Sequence, residues 1–249
     1  MKIHLTSEQS EIIEQFTAPH IRASEWEEAG LGDKDSFVLF YGPAGTGKTT
    51  IAQQIAHRVS GIPLNILKTS LTLDFSEILS NQLGVSEKLA SDFFKQVYAL
   101  QKKHNAVAPV AIFDEVEAIM YDRALVGQGN TYQLSIITHI LKLCDTFRTK
   151  GGVLLATTNF PEKLDRAFFS RFNYSIVMPA LTPAASLPFW MLLMPEAPFG
   201  IPESQLVKYL LTLPKDQPVT PREIDHAIKN EIKRAFAKRE TMQITNLLK

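Results

Sequence analysis

The sequence predicts an α/β chain: a three-layer domain around a parallel sheet, followed by a small all-helical domain. Two observations carry this. Short apolar runs alternate with longer amphipathic stretches as far as Met178, and after it no further strand-like run occurs. The runs are continuously apolar rather than alternating, which suits strands covered by helices on both faces. Strands interleaved with helices in this way require right-handed crossovers.

Taken in order, residues 1–35 are polar with scattered apolar positions (Ile12, Ile13, Phe16, Ile21, Trp26), a pattern of one or two amphipathic helices leading into the core. The expected strands are FVLFY (37–41), PLNIL (63–67), PVAIF (109–113), GVLLAT (152–157) and YSIVM (174–178). Helical patterns follow the first three of them, over 48–59, 87–103 and 132–147. Near Pro179 proline-punctuated sequence takes over, and two helical stretches remain, 203–213 and 221–238. Thr220 is placed to cap the second and Pro221 to occupy its first turn. The expected division is therefore a helical lead-in (1–35), an α/β domain (36–179) and a helical lid (180–249).

Composition bounds the function. Of the 249 residues, 45% are apolar and 21% charged, near the average for globular proteins. Lys+Arg and Asp+Glu are 26 each, so charge gives no argument for nucleic acid or an anionic membrane as an obligatory partner. The single cysteine, Cys144, excludes an intramolecular disulfide and fits a reducing compartment. The N-terminus lacks an apolar core of signal-peptide length. The apolar stretch 187–201 is broken by Pro188, Pro195 and Pro198 and is too short to span a bilayer. A cytoplasmic protein is expected. The six histidines show no metal-ligand spacing, and the basic stretch 229–240 is interrupted by acids and reads as a solvated lid surface.

The chemistry is concentrated in GPAGTGKTT (42–50), a full match to G-x-x-x-x-G-K-[ST]. Gly42, Gly45 and Gly47 let the backbone curl so that successive N–H groups point at phosphate oxygens. Together with Pro43, Ala44, Thr46 and Thr50 they form the expected nucleotide cradle. Lys48 supplies a cation to the β- and γ-phosphates, and the Thr49 hydroxyl is a ligand for Mg²⁺. The helix that starts here aims its positive end at the same anion. A second motif, IFDEVEAI, places Asp114 and Glu115 directly after a buried strand, at the sheet edge where ligands bind. Asp114 is expected to hold the Mg²⁺ and Glu115 to activate the attacking water.

GPAGTGKTT, IFDEVEAIMYDR and LLATTNFPEKLDRAFFSRF together resemble the AAA+ superfamily of P-loop ATPases, and its core AAA clade in particular, over roughly residues 37–238. The resemblance implies a sheet of strand order 5-1-4-3-2, ATP hydrolysis, and assembly into a homo-oligomeric ring, usually hexameric. By the same resemblance Asn159 stands where the family senses the γ-phosphate. Arg171 matches the finger that reaches a neighbouring subunit's nucleotide, and Arg222 matches the second sensor on the lid. Three departures stand beside these matches. Phe169 and Ser170 replace a second arginine before the finger. The pore-loop triplet falls on Gln82, Leu83 and Gly84 and lacks its aromatic. Asp145, Thr146 and Phe147 sit near an intersubunit signalling element usually written Asp-Gly-Phe.

The expected function is an ATPase ring that remodels or moves a protein partner. A nucleic-acid-associated loader or regulator and an ATP-gated scaffold of slow turnover are the alternatives. No recruitment domain of ordinary size fits before Phe37 and no protease domain after the lid, so a substrate adaptor is expected in trans or in the N-terminal helices.

Overall fold

A computed structural model of the chain describes residues 5–78, 84–121, 131–194, 200–214, 217–244 and 247. Five parallel strands form one sheet: β1 (Phe37–Tyr41), β2 (Thr72–Asp74), β3 (Val110–Asp114), β4 (Val153–Thr158) and β5 (Tyr174–Val177). Their order is β2-β3-β4-β1-β5, all pairs parallel, which is the expected 5-1-4-3-2 arrangement. The helices of this part are α1 (Ser7–Ile21), α2 (Ala23–Glu28), α3 (Lys48–Ser60), α4 (Leu64–Ser70), α5 (Phe75–Ile78), α6 (Val85–His104), α7 (Thr131–Thr149) and α8 (Arg166–Phe169). Later come α9 (Leu187–Leu193), α10 (Glu203–Thr212) and α11 (Pro221–Lys238).

The three inner strands are the continuously apolar ones, as covering on both faces requires. Phe37–Phe40, Val110–Phe113 and Val153–Ala156 are at most 1% exposed. Edge strand β5 alternates instead, with Ile176 buried between exposed Ser175 and Val177. On one side of the sheet Phe75, Phe93, Phe94, Phe113 and Phe147 form a ring cluster, with centroids 4.7 Å apart for Phe75–Phe113 and 5.0 Å for Phe94–Phe147. Helix α1 opens on a capping box between Thr6 and Gln9. It is tied down by Gln9 Nε2, which donates to the Val177 carbonyl at 2.7 Å, and by a Glu14–Arg58 ion pair.

One expected strand is a helix. PLNIL forms most of α4, because Pro63 starts it and its carbonyl accepts from the Ile66 and Leu67 N–H groups. Leu67 and Leu71, four apart, are fully buried while Leu64 is 38% exposed, which is a helical and not a strand period. The actual β2 lies just beyond. Its three residues are all half-buried, so it leaves no apolar run to find. Of the pore-loop triplet, Gln82 and Leu83 lie outside the described residues. Gly84 takes a left-handed conformation (φ 81°) before α6.

By density of contacts the chain divides into two units, one of Leu5–Gly42 with Lys48–Val177, the other of Pro43–Gly47 with Met178–Lys249. The second has its own core around Trp190, Leu206, Ile224, Ile228 and Leu247, each 2% exposed or less. There the Glu231 carboxylate, 3% exposed, receives both Nε and Nη2 of Arg234 and the Gln243 N–H at 2.7 Å.

In the first unit α7 ends at Thr149, and beyond the turn after it Gly152 has no room for a side chain. A Cβ at Gly152 would stand 2.6 Å from the buried Phe147 ring. Gly152→Ala should therefore destabilise the fold by about 1–3 kcal/mol through overpacking. The shift of the urea midpoint at constant slope measures it.

Candidate functional site

Parallel pairing brings three strand ends to one edge. Tyr41 pairs with Thr158 and Phe113 with Ala156, so the residues following β1, β3 and β4 emerge side by side. At the start of α3, Lys48 is only 7% exposed, and its ammonium donates to the Gly42 carbonyl at 2.9 Å and to Asn159 Oδ1 at 2.8 Å. Next to it the Thr49 hydroxyl donates to both oxygens of Asp114, at 2.8 and 3.1 Å. Thr157, on β4, also donates its hydroxyl to Asp114 Oδ1 and accepts from the Glu115 N–H at 3.4 Å. Thus Lys48, Thr49, Asp114 and Asn159, named from sequence, form one connected group. Thr50 lies half-buried in the first turn of α3.

Glu115 caps a short 3₁₀ turn in a left-handed conformation (φ 51°, ψ 45°), which turns its exposed side chain out of the strand direction. Desolvation raises its carboxyl above the ordinary carboxylate value. The negative charges of Asp74, Asp114 and Glu117 push it the same way, and Lys48 opposes them.

In the other unit, the Thr46 hydroxyl closes the phosphate-loop segment by donating to the Pro43 carbonyl at 3.0 Å, and Gly45 (φ 81°) makes its left-handed turn. Pro43 and Ala44 are exposed. Here α11 begins on a capping box between Thr220 and Glu223. The Arg222 N–H donates to the Gly45 carbonyl at 3.2 Å, and a Cβ at Gly45 would fall 2.9 Å from that of Arg222. Arg222 thus meets the loop through backbone and Cβ, and the residue is exposed.

Arg171 does not join the Lys48 group. Its Nε and Nη2 donate to the two oxygens of Asp145 at 2.8 and 2.7 Å, a bidentate pair, and Nη1 donates to the Ala167 carbonyl. The pair raises the guanidinium pKa and lowers that of Asp145.

Three neighbours escaped the sequence reading. Thr157 reads as the last residue of an apolar strand. Asp74 was hidden with β2, although it pairs in register with Asp114. Glu117 was visible in DEVE, but nothing local shows that it accepts from both Asn159 nitrogens.

A hard divalent cation suits the Thr49 and Asp114 oxygens. Among the described residues no group of three or more His, Cys, Asp or Glu could enclose a metal. A cation bound here would keep ligands from water or substrate, as Mg²⁺ does.

A family model described as "ATPase family associated with various cellular activities (AAA)" matches residues 38–180. The chain belongs to the AAA family of ATPases.

This AAA ATPase is 30% identical over 146 residues to CD-NTase-associated protein 6 of Pseudomonas aeruginosa, covering 57% of this chain and 47% of that protein. With the ATP-dependent zinc metalloprotease FtsH of Cutibacterium acnes the identity is 35% over 148 residues, covering 57% and 19%. With the proteasome-activating nucleotidase of Pyrococcus furiosus it is 31% over 180 residues, covering 70% and 42%. The chain spans less than half the length of each. No helix among the described residues is long and apolar enough to cross a membrane.

The crowding of carboxylates around Glu115 is directly measurable. A ¹³C NMR titration of its carboxyl should give a pKa above that of an ordinary glutamate. Asp74→Asn, which removes one of the repelling charges, should bring it down. An unchanged value in the variant would show that Asp74 does not act on Glu115.

Proposed function

We propose that this AAA ATPase binds Mg²⁺-ATP on Gly42, Pro43, Ala44, Gly45, Thr46, Gly47, Lys48, Thr49 and Thr50, hydrolyses it in a homo-oligomeric ring, and uses the turnover to remodel a protein partner. The observation that carries the hydrolytic part is the connected Lys48–Asn159 and Thr49–Asp114 group at the carboxyl edge of the sheet, with Glu115 beside it. In this reading the Lys48 ammonium binds β- and γ-phosphate oxygens. Thr49 and Asp114 hold Mg²⁺, which neutralises charge on the phosphates. Glu115 takes a proton from the attacking water. Its raised pKa makes it a stronger base than an ordinary glutamate, provided the pH keeps it ionised. Asn159 donates to the γ-phosphate, and Arg222 is the second sensor from the lid. Two relatives support a protein partner by name, a metalloprotease and a proteasome-activating nucleotidase.

Arg171 is assigned to the γ-phosphate bound by a neighbouring subunit. Asp145 engages the Nε and Nη2 of the guanidinium and the Ala167 carbonyl its Nη1, so in this reading the side chain exchanges some of these partners for the neighbour's phosphate. A charge supplied only by a neighbour makes hydrolysis depend on association, so specific activity should rise with protein concentration.

Mixing tests the whole reading. Lys48→Ala should lose ATP affinity, and Glu115→Gln should bind ATP but turn over slower by roughly three decades, equal to about 4 kcal/mol. Arg171→Ala should bind ATP and lose roughly 10³-fold or more in kcat. Lys48→Ala supplies a finger without a site and Arg171→Ala a site without a finger, so together they should recover activity that neither has alone. Co-purifying mixed oligomers without recovered activity would overturn the role of Arg171 in trans.

A further inference from the structure

The geometry points to Glu117 as a positioning residue for Asn159, setting which end of its side-chain amide is a donor to the nucleotide. The inference rests on the proposed role of Asn159 and adds a residue to it. One oxygen of Glu117, Oε1, accepts from both the backbone N–H and the side-chain Nδ2 of Asn159, at 2.9 and 3.0 Å. On its other side Asn159 Oδ1 accepts from the Lys48 ammonium at 2.8 Å. The amide is therefore held between an acceptor-only carboxylate and a donor-only ammonium. Rotating it by half a turn would set its oxygen against the carboxylate and its nitrogen against the ammonium, converting two attractions into two repulsions.

The two holds are not equivalent once a polyphosphate enters. Phosphate oxygens are acceptors and compete with Asn159 Oδ1 for the Lys48 ammonium. They cannot compete for the Glu117 carboxylate, which is an acceptor itself. Glu117 is then the group that keeps the amide in place. Because Nδ2 carries two N–H groups and Glu117 takes one, the other is left for an acceptor. The clamp on the backbone N–H at the same time fixes the turn after β4. Glu117 itself lies in the 3₁₀ turn Val116–Ala118 directly after Glu115, so the turn that presents the proposed base also orients the proposed sensor.

Its second oxygen, Oε2, is buried and makes no hydrogen bond among the described residues. Burying an unpaired carboxylate oxygen is unfavourable. Removing Glu117 relieves that burden while losing the bonds to Asn159, so the effect on stability is partly cancelled and the effect on turnover is not.

A double-mutant cycle on the full chain tests this with steady-state ATPase rates and melting temperatures. Glu117→Ala should lower kcat by about tenfold or more and change KM for ATP by less than about threefold. Glu117→Gln, which retains an acceptor oxygen, should recover to within about threefold of wild type. In an Asn159→Ala background, Glu117→Ala should cost less than about twofold further, because a residue acting through another has nothing left to orient. If the alanine variant does not fold, Glu117→Met, of similar volume without an acceptor, takes its place in the cycle. Additive losses in the double variant, a Gln variant as impaired as the Ala one, or an undiminished kcat in Glu117→Ala would each overturn the proposal. Undiminished kcat in Glu117→Ala beside an inactive Glu115→Gln sinks this proposal alone. Full turnover in Glu115→Gln sinks the reading of the site on which it rests.

Discussion

The parallel register of β1, β4 and β3 is the constraint on which the site depends, because Asp114 ends β3, Glu115 and Asn159 directly follow β3 and β4, and Lys48 and Thr49 find partners among the strand-end residues. Interiors of such strands have no choice but to be apolar, since helices cover both faces. Their ends are where polar side chains become affordable. Pairing Tyr41 with Thr158 and Phe113 with Ala156 puts Gly42, Asp114 and Asn159 at one edge. A one-residue slip of β4 would turn Thr157 to the other face of the sheet and take its hydroxyl away from Asp114. The apolar residues thus do more than stabilise; by fixing register they aim the polar ones.

The charge at that edge is lopsided. Asp74, Asp114 and Glu117 all repel a negative charge on Glu115, and Lys48 is the opposing cation. A polyphosphate entering such a place would be repelled unless a cation came with it, which is a physical reason for the Thr49–Asp114 oxygens to sit where a hard metal ion could join them. Elsewhere charges are managed pairwise. Arg171 faces Asp145, and Glu231 is buried in the second unit and paired with Arg234.

How much could be read from sequence follows from how local each feature is. The phosphate loop is contiguous, so its residues and their chemistry stand together in nine letters. The buried strands showed because covering both faces forces an unbroken apolar run. Edge strand β2 has only three half-buried residues and gives no such run, and losing it concealed Asp74. PLNIL misleads for the opposite reason: it is apolar enough for a strand, and only the burial of Leu67 with Leu71 reveals a helix. Contacts between distant residues were out of reach. Glu117 lies 42 positions from Asn159, and Asp145 lies 26 from Arg171. Each was readable as a residue, but no periodicity or spacing links the members of either pair.

The contact between α11 and Gly45 has a consequence for the phosphate loop itself. A loop of this kind is ordinarily thought of as shaped by the anion it surrounds. At Gly45 the chain is also shaped from behind, since Arg222 and Thr220 occupy the space where a side chain would be. Position 45 therefore works as a feeler gauge between loop and helix. Any β-carbon placed there is a wedge, and it must either lift the first turn of α11 or bend the loop. A residue that looks devoted to ligand binding is held to hydrogen by its own protein.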